Sequence, residues 1–317
     1  MNSKLMLVAA LAVCGCASME QETAPVSGEM VELSFRVPSQ NMTRVIGNVP
    51  EDEVHDLQVF VFGLDGQLHA YGHALSDQLT MTCSTGDKHV AALVNAPLVN
   101  TVADEATLRG LVSSFSDNSK DGFVMSGIEE MVIDKTSEVT IPVSRLVSKV
   151  VLSSIKNDFE FIQHQSMNFE IKSIFLTNAA KDRKYFSQSA PSEWYNKDIS
   201  DMAQLISQAG ILMYDSFEPV KLEYGGTYES GRFLYCYPNP LEEGMEPTCL
   251  VVEAELEGNI YYYPVRLPSM ESNKCYSVAL TICRPGSLTP DEPVEKQEAI
   301  FNVEVKPWTY VSISDTI

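Results

Sequence analysis

The chain has 317 residues, 44% of them hydrophobic, and its 22 basic against 43 acidic residues leave a net charge of −21. The length is a soft prior for two domains. So negative a surface repels phosphate backbones and anionic headgroups, which argues against nucleic acid as a partner and otherwise serves solubility.

The chain opens on a targeting segment. Lys4 supplies the positive region and Leu5–Val13 a short apolar one. Nine residues at ~1.5 Å each cannot cross a ~30 Å hydrocarbon layer, so this is no transmembrane helix. The following Val13-Cys14-Gly15-Cys16-Ala17-Ser18 resembles a bacterial lipobox, with Cys16 as the acylated first residue of the mature protein. Residues 1–15 are then the signal peptide, and an ordinary signal-peptidase site is the alternative. No other apolar run is long enough to span a bilayer, so lipid on Cys16 is the expected membrane attachment. Residues 16–28 are small and polar, a flexible tether.

The next stretch alternates. Val31, Leu33, Phe35 and Val37 are apolar while Glu32, Ser34 and Arg36 are polar, the pattern of a half-buried strand. A polar segment ending in Arg44 follows. Leu57–Phe62 is a β-branched and aromatic strand, Gly63–Gly66 a hairpin turn and Gln67–Tyr71 the return. Gln78–Cys83 and Lys88–Val94 form a second hairpin. Thr101–Phe115 has helical spacing, with Asp104 or Thr101 as cap. Phe123–Met125 and Met131–Ile133 read as short strands. Val139–Ile155 is too long for one strand and contains Pro142, so it reads as two strands passing between domains near Arg145–Ser148. Beyond it come a strand at Phe169–Leu176, a helix at Ser200–Met213, and strands at Arg232–Tyr237, Cys249–Leu256, Asn259–Val265, Lys274–Arg284 and Phe301–Val305. Val311, Ile313 and Ile317 alternate to the terminus. Many short strands and two helices predict an all-β protein of two tandem antiparallel β-sandwiches, over 29–147 and 148–317.

Candidate chemistry is thin. His69 and His73 would stand about 13 Å apart on a strand, too far for one metal. Asp117–Gly122 has the opening of a calcium loop, but position twelve is Ile128 rather than a bidentate glutamate, so a polar turn is the better reading. No nucleophile elbow, phosphate loop, dinucleotide fingerprint or zinc-protease motif occurs. Glu129-Glu130 and the acidic run 51–56 read as solvated surface. With Cys14 lost in the signal and Cys16 lipidated, five cysteines remain: Cys83, Cys236, Cys249, Cys275 and Cys283. Cys236 and Cys249 could close a hairpin, against the simpler reading of buried small hydrophobes. Trp308 after Pro307 reads as a core anchor. No enzyme, cofactor or metal is expected.

Taken in order, the lipobox at Cys16, LQVFVFGLDGQLHAY (57–71), HVAALVNAP (89–97), FVMSG (123–127), VSRLVSKVVL (143–152), KCYSVALTICRPGSLTPDEPVE and VEVKPW resemble the fimbrillin family of Bacteroidetes, the lipoprotein-derived pilins. The resemblance implies two transthyretin-like sandwich domains and a non-enzymatic role in adhesive surface fimbriae. It implies export to the outer membrane as a lipoprotein, then cutting by a trypsin-like, arginine-specific protease. Carried onto this chain the cut is Arg44-Val45, with Arg36 as a competitor that its strand should shield. Cutting would remove strand 30–37, with Val31, Leu33, Phe35 and Val37, and open a groove. The tail 308–317 of another copy or a related subunit, with Val311, Ile313 and Ile317, would fill it. The alternatives are a lipid-anchored adhesin that does not polymerise, and the anchor or tip subunit of a fimbria. Strand addition to open edges and apolar pockets is sound physics, since about four large side chains at ~1.5–3 kcal/mol each amount to roughly 6–12 kcal/mol before ordering costs.

Overall fold

The computed structural model describes residues 28–37, 51–99, 101–135, 137–199, 202–292 and 299–308. The expected lipid site Cys16, the cut at Arg44-Val45 and the tail residues Val311, Ile313 and Ile317 lie outside the described residues. Among the described residues no helix is long and apolar enough to cross a membrane.

Alternation builds the first sheet. β1 (Met30–Arg36) buries Leu33 and Phe35 and turns Glu32 and Arg36 outward. β2 (Leu57–Gly63) is buried at every position, which explains the continuous apolar run Val59–Phe62 after the buried Gln58. Val59 and Val61 meet the core that β1 shares, while Phe60 and Phe62 face a second one. A tight turn, with Gly66 at φ +78° and its N–H on the Gly63 carbonyl (2.9 Å), leads to β3 (Leu68–Ala74). β4 (Gln78–Ser84) and β5 (Gly86–Val94) follow. Asp104 caps α1 (Glu105–Gly110), its Oδ1 accepting the Thr107 N–H at 2.7 Å. β6 (Val112–Ser114), β7 (Met125–Ile133), β8 (Ser137–Thr140) and β9 (Ser144–Arg145) complete this half. The strands form a three-stranded sheet, β4-β1-β8, over a five-stranded one, β3-β2-β5-β7-β9.

The second half continues with β10 (Ser148–Asn157), α2 (Ile162–Gln165), β11 (Phe169–Thr177), β12 (Ala179–Ala180), β13 (Asp182–Lys184), β14 (Trp194–Tyr195) and α3 (Met202–Met213). Then come β15 (Tyr214–Lys221), β16 (Thr227–Cys236), β17 (Cys249–Leu256), β18 (Asn259–Arg266), β19 (Lys274–Ile282) and β20 (Ala299–Pro307). Two four-stranded sheets, β16-β10-β19-β20 and β15-β11-β17-β18, enclose a core containing Val150, Leu152, Phe169, Ile174, Leu234, Val252 and Val278. That core runs without a break to Phe60, Leu93 and Phe123 of the first half, and β6 pairs with β13 across the two halves. The fold is an all-β sandwich architecture with three short α-helices among the described residues.

Several expectations are corrected. Thr101–Phe115 is not one helix: α1 ends after six residues, Leu111 is extended, and residues 112–114 join β13 in a ladder. A tertiary pairing overrides local periodicity there. Phe123–Met125 and Met131–Ile133 are not two strands. Residues 125–133 form one, paired with β5 at nine positions. The acidic run 51–56 is not solvated throughout, because Glu51 is 2% exposed. The bridge between Cys236 and Cys249, the lesser of the two readings above, does not form: they lie in different sheets, and all five described cysteines are free.

Candidate functional site

β1 is the middle strand of its sheet, yet neither neighbour is near it in sequence. It runs antiparallel to β4 over seven pairs, from Met30 opposite Ser84 to Arg36 opposite Gln78. On its other side it runs parallel to β8 over four pairs, from Leu33 opposite Ser137 to Arg36 opposite Thr140. Bonds beyond the strand ends extend both ladders: Thr85 N–H to the Glu29 carbonyl (2.8 Å), Val37 N–H to the Asp77 carbonyl (3.1 Å) and Ile141 N–H to the Arg36 carbonyl (3.0 Å). Without β1, facing rows of backbone donors and acceptors on β4 and β8 would be left unpaired.

The inward side chains follow the strand period. Leu33, Phe35 and Val37 are 1%, 0% and 1% exposed and Val31 is half-buried. They pack on Leu57, Val59, Val61, Val90, Val94 and Ile133 in a core separate from the larger one. β1 therefore fills a row of apolar pockets between two strands joined to it only by hydrogen bonds and packing. Arg36 points outward beside Asp77 and Glu138, at 4.0 and 3.9 Å, with its side chain half exposed. Its side chain is thus open to solvent, and only its peptide group is covered, by the ladders on both sides.

Val37 ends the row at a cavity of about 80 Å³ lined also by Asp52, Val54, Ser144, Arg145 and Asn273. This cavity borders a buried polar cluster that local sequence does not announce. Glu51 Oε1 accepts from Lys149 Nζ (2.7 Å) and from the Tyr235 hydroxyl, and its Oε2 accepts from Trp308 Nε1 (3.1 Å). Arg145 pairs with Asp52, donates from Nη1 to Asn273 Oδ1 (2.7 Å), and lies 4.4 Å from the centre of the Trp308 ring. The Trp308 N–H reaches the Asn273 carbonyl at 3.2 Å. Lys149 sits 4.1 Å from the Phe233 ring centre. Two cations and two carboxylates balance one another, the condition for charges at this depth. Trp308 is 6% exposed, in agreement with a core anchor, which takes it out of the expected donor segment 308–317.

The remaining candidates are structural. Asn118, within the calcium-like stretch, donates to the Tyr237 hydroxyl (2.9 Å) and accepts the Val124 N–H (3.0 Å), while Asp117 accepts the Ser114 N–H (2.9 Å). His73 meets Asp56 at 2.5 Å, and His69 meets Lys88 at 3.1 Å, with burial and that cation lowering the His69 pKa. The described residues hold no cluster of three or more His, Cys, Asp or Glu arranged for a metal ion. Burial pushes the Cys236 thiol up to about 12 and the Cys249 thiol to about 11, the environment of inert sulfur.

No protein-family profile and no curated protein matches the sequence. Solved structures do. A candidate cell adhesion protein from Bacteroides eggerthii superposes with a TM-score of 0.69 at 19% identity, covering 90% of this chain and 98% of that one. A fimbrilin from Porphyromonas gingivalis gives 0.65 at 15%, over 89% and 98% of the two chains. The tip fimbrial protein Mfa3 of the same organism, with its C-terminus truncated, gives 0.52 at 13%, over 88% and 100%. At these identities the likeness is one of fold: this chain has the architecture of the Bacteroidetes fimbrilins, along nearly their whole length.

Proposed function

We propose that the protein is a structural subunit of a cell-surface fimbria, of the fimbrillin family. It is exported as a lipoprotein through Cys16, cut after Arg44 by a trypsin-like arginine-specific protease, and polymerised by strand exchange. One observation carries this reading: β1 is a middle strand, yet it is the first described element, and both its partners come later in the chain. A cut between β1 and residue 51 severs no other described strand, and departure of β1 leaves a groove able to hydrogen-bond on both sides. Three fully buried side chains at ~1.5–3 kcal/mol each make the vacancy worth roughly 5–9 kcal/mol to a replacement strand, before ordering costs. The alternating tail 309–317 of another copy is that replacement. Until the cut, β1 occupies the groove and the subunit stays a monomer.

Treatment with an arginine-specific protease, followed by N-terminal sequencing and size analysis, tests this. The expected product begins at Val45 and polymerises, while Arg44→Ala stays monomeric. An Arg44→Ala protein that polymerises like wild type overturns the mechanism. The fold shared with a candidate cell adhesion protein favours a second reading, a lipid-anchored adhesin that does not polymerise. Deleting residues 309–317 separates the two, since it abolishes polymers under the first and leaves surface binding intact under the second.

A further inference from the structure

We infer that Asp315 sets the register of the exchanged strand, standing where Val37 stands before cutting, against Arg145 and Asn273 of the receiving copy. The inference rests on the strand-exchange reading and adds which tail residue enters which pocket.

In an extended tail, Thr309, Val311, Ile313, Asp315 and Ile317 share one face, and Tyr310, Ser312, Ser314 and Thr316 the other. Val311 and Ile313 must face the pockets, so Asp315 faces inward too. A slip of two residues moves it from one pocket to the next. At the Leu33 or Phe35 position, 1% and 0% exposed among aliphatic side chains, a carboxylate would be buried without a partner. Sliding the tail further in, to carry Asp315 past the groove, would pull residue 307 into the Val31 position. Pro307 is paired with Lys274 and Trp308 is buried in the donor's own core.

Two registers remain that seat Val311 and Ile313 in the deep pockets. In the direction of β1, Val311 takes the Leu33 pocket, Ile313 the Phe35 pocket and Asp315 the Val37 position. In the reverse direction, Asp315 falls at Val31. The groove edges decide between them. β4 offers seven paired positions and β8 four. The direction of β1 places the stronger antiparallel ladder on the longer edge, and reversal places the weaker parallel one there. The Val37 end also supplies a cavity of about 80 Å³ whose mixed lining includes Arg145 and Asn273, room for a carboxylate with its water. Asp52 already pairs with Arg145 there, so Asp315 brings register specificity more than net attraction.

This register puts Thr309 where Val31 stands, directly opposite the free, buried Cys83. The full chain carrying Thr309→Cys is cut with the arginine-specific protease, assembled and oxidised. The expected result is polymers cross-linked between subunits, and the link disappears with Cys83→Ala. In Thr309→Cys/Asp315→Val the charge is gone, and a register two residues further out fills all four pockets with residues 311, 313, 315 and 317. That protein should polymerise without the cross-link, and Val311→Cys/Asp315→Val should regain it. Polymers that form without the first cross-link, or a cross-link unchanged by Asp315→Val, overturn the assignment. Absence of polymer from the cut wild-type protein instead overturns strand exchange itself.

Discussion

Phe35 offers the sharpest handle on how firmly the first strand is held. Its ring is fully buried at the centre of the β1 row, and truncating such a side chain costs about 3–5 kcal/mol. In the uncut Phe35→Ala protein the loss should appear as a Tm lowered by roughly 6–20 °C, at ~2–4 °C per kcal/mol for a chain of this size. After the cut, β1 is held by packing and ladder alone. With ~1.4 kcal/mol per factor of ten and the loss expressed in the off-rate, the severed strand should leave some two to three and a half powers of ten faster. A fluorophore on the residues preceding β1 reports its departure, and light scattering reports polymer growth. If the severed strand leaves the variant no faster than wild type, this packing does not hold β1. If it leaves faster while polymers grow at the wild-type rate, vacating the groove does not limit assembly.

Three further outcomes follow from the same geometry. Glu51→Gln leaves Lys149 buried without its counter-charge and should cost about 3–5 kcal/mol by urea unfolding, with Glu51→Gln/Lys149→Met recovering much of it; equal losses in single and double variants would contradict a coupled pair. Limited digestion of the native protein should cut after Arg44 and not after Arg36, because both ladders cover the Arg36 peptide, whereas urea-unfolded protein is cut at both; mass spectrometry distinguishes the products. Burial holds Cys236 and Tyr276 near 12, against 9 and 10 in their ordinary settings, so the unfolded chain releases these protons first. Stability is then fully present below about pH 9 and falls toward pH 12, at up to ~1.4 kcal/mol per pH unit per group; a urea midpoint unchanged from pH 8 to 11 would refute this.

What was legible in the residues was local. The alternation of Val31–Val37 follows from the strand period, and LQVFVF was readable as a strand from its β-branched and aromatic residues, though not its burial on both faces. The stretch 101–115 misled because its helical spacing stops mattering once Ser113 finds Arg183 across a ladder. The short strands β12, β13 and β14 carry no periodicity of their own and exist through distant partners. Glu51 was hidden for the same reason. Its partners Lys149, Tyr235 and Trp308 lie 98, 184 and 257 residues away, and nothing in EDEVHD marks one acid as buried. At the candidate site the strand was readable, but its middle position and its parallel pairing with β8 were not.

The Trp308 anchor has a mechanical side. The indole is wedged among Glu51, Arg145 and Tyr235, one residue before the nine-residue tail begins. If, as proposed, subunits join through residues 309–317, tension would pass straight from this wedge into a neighbour's groove with almost no slack. The load then runs along the strand direction, so the rungs of both flanking ladders resist together and do not open one at a time like a zipper. Such a joint is stiff and strong under pulling along the fibre, and weakest to a force that peels the tail sideways from its open end.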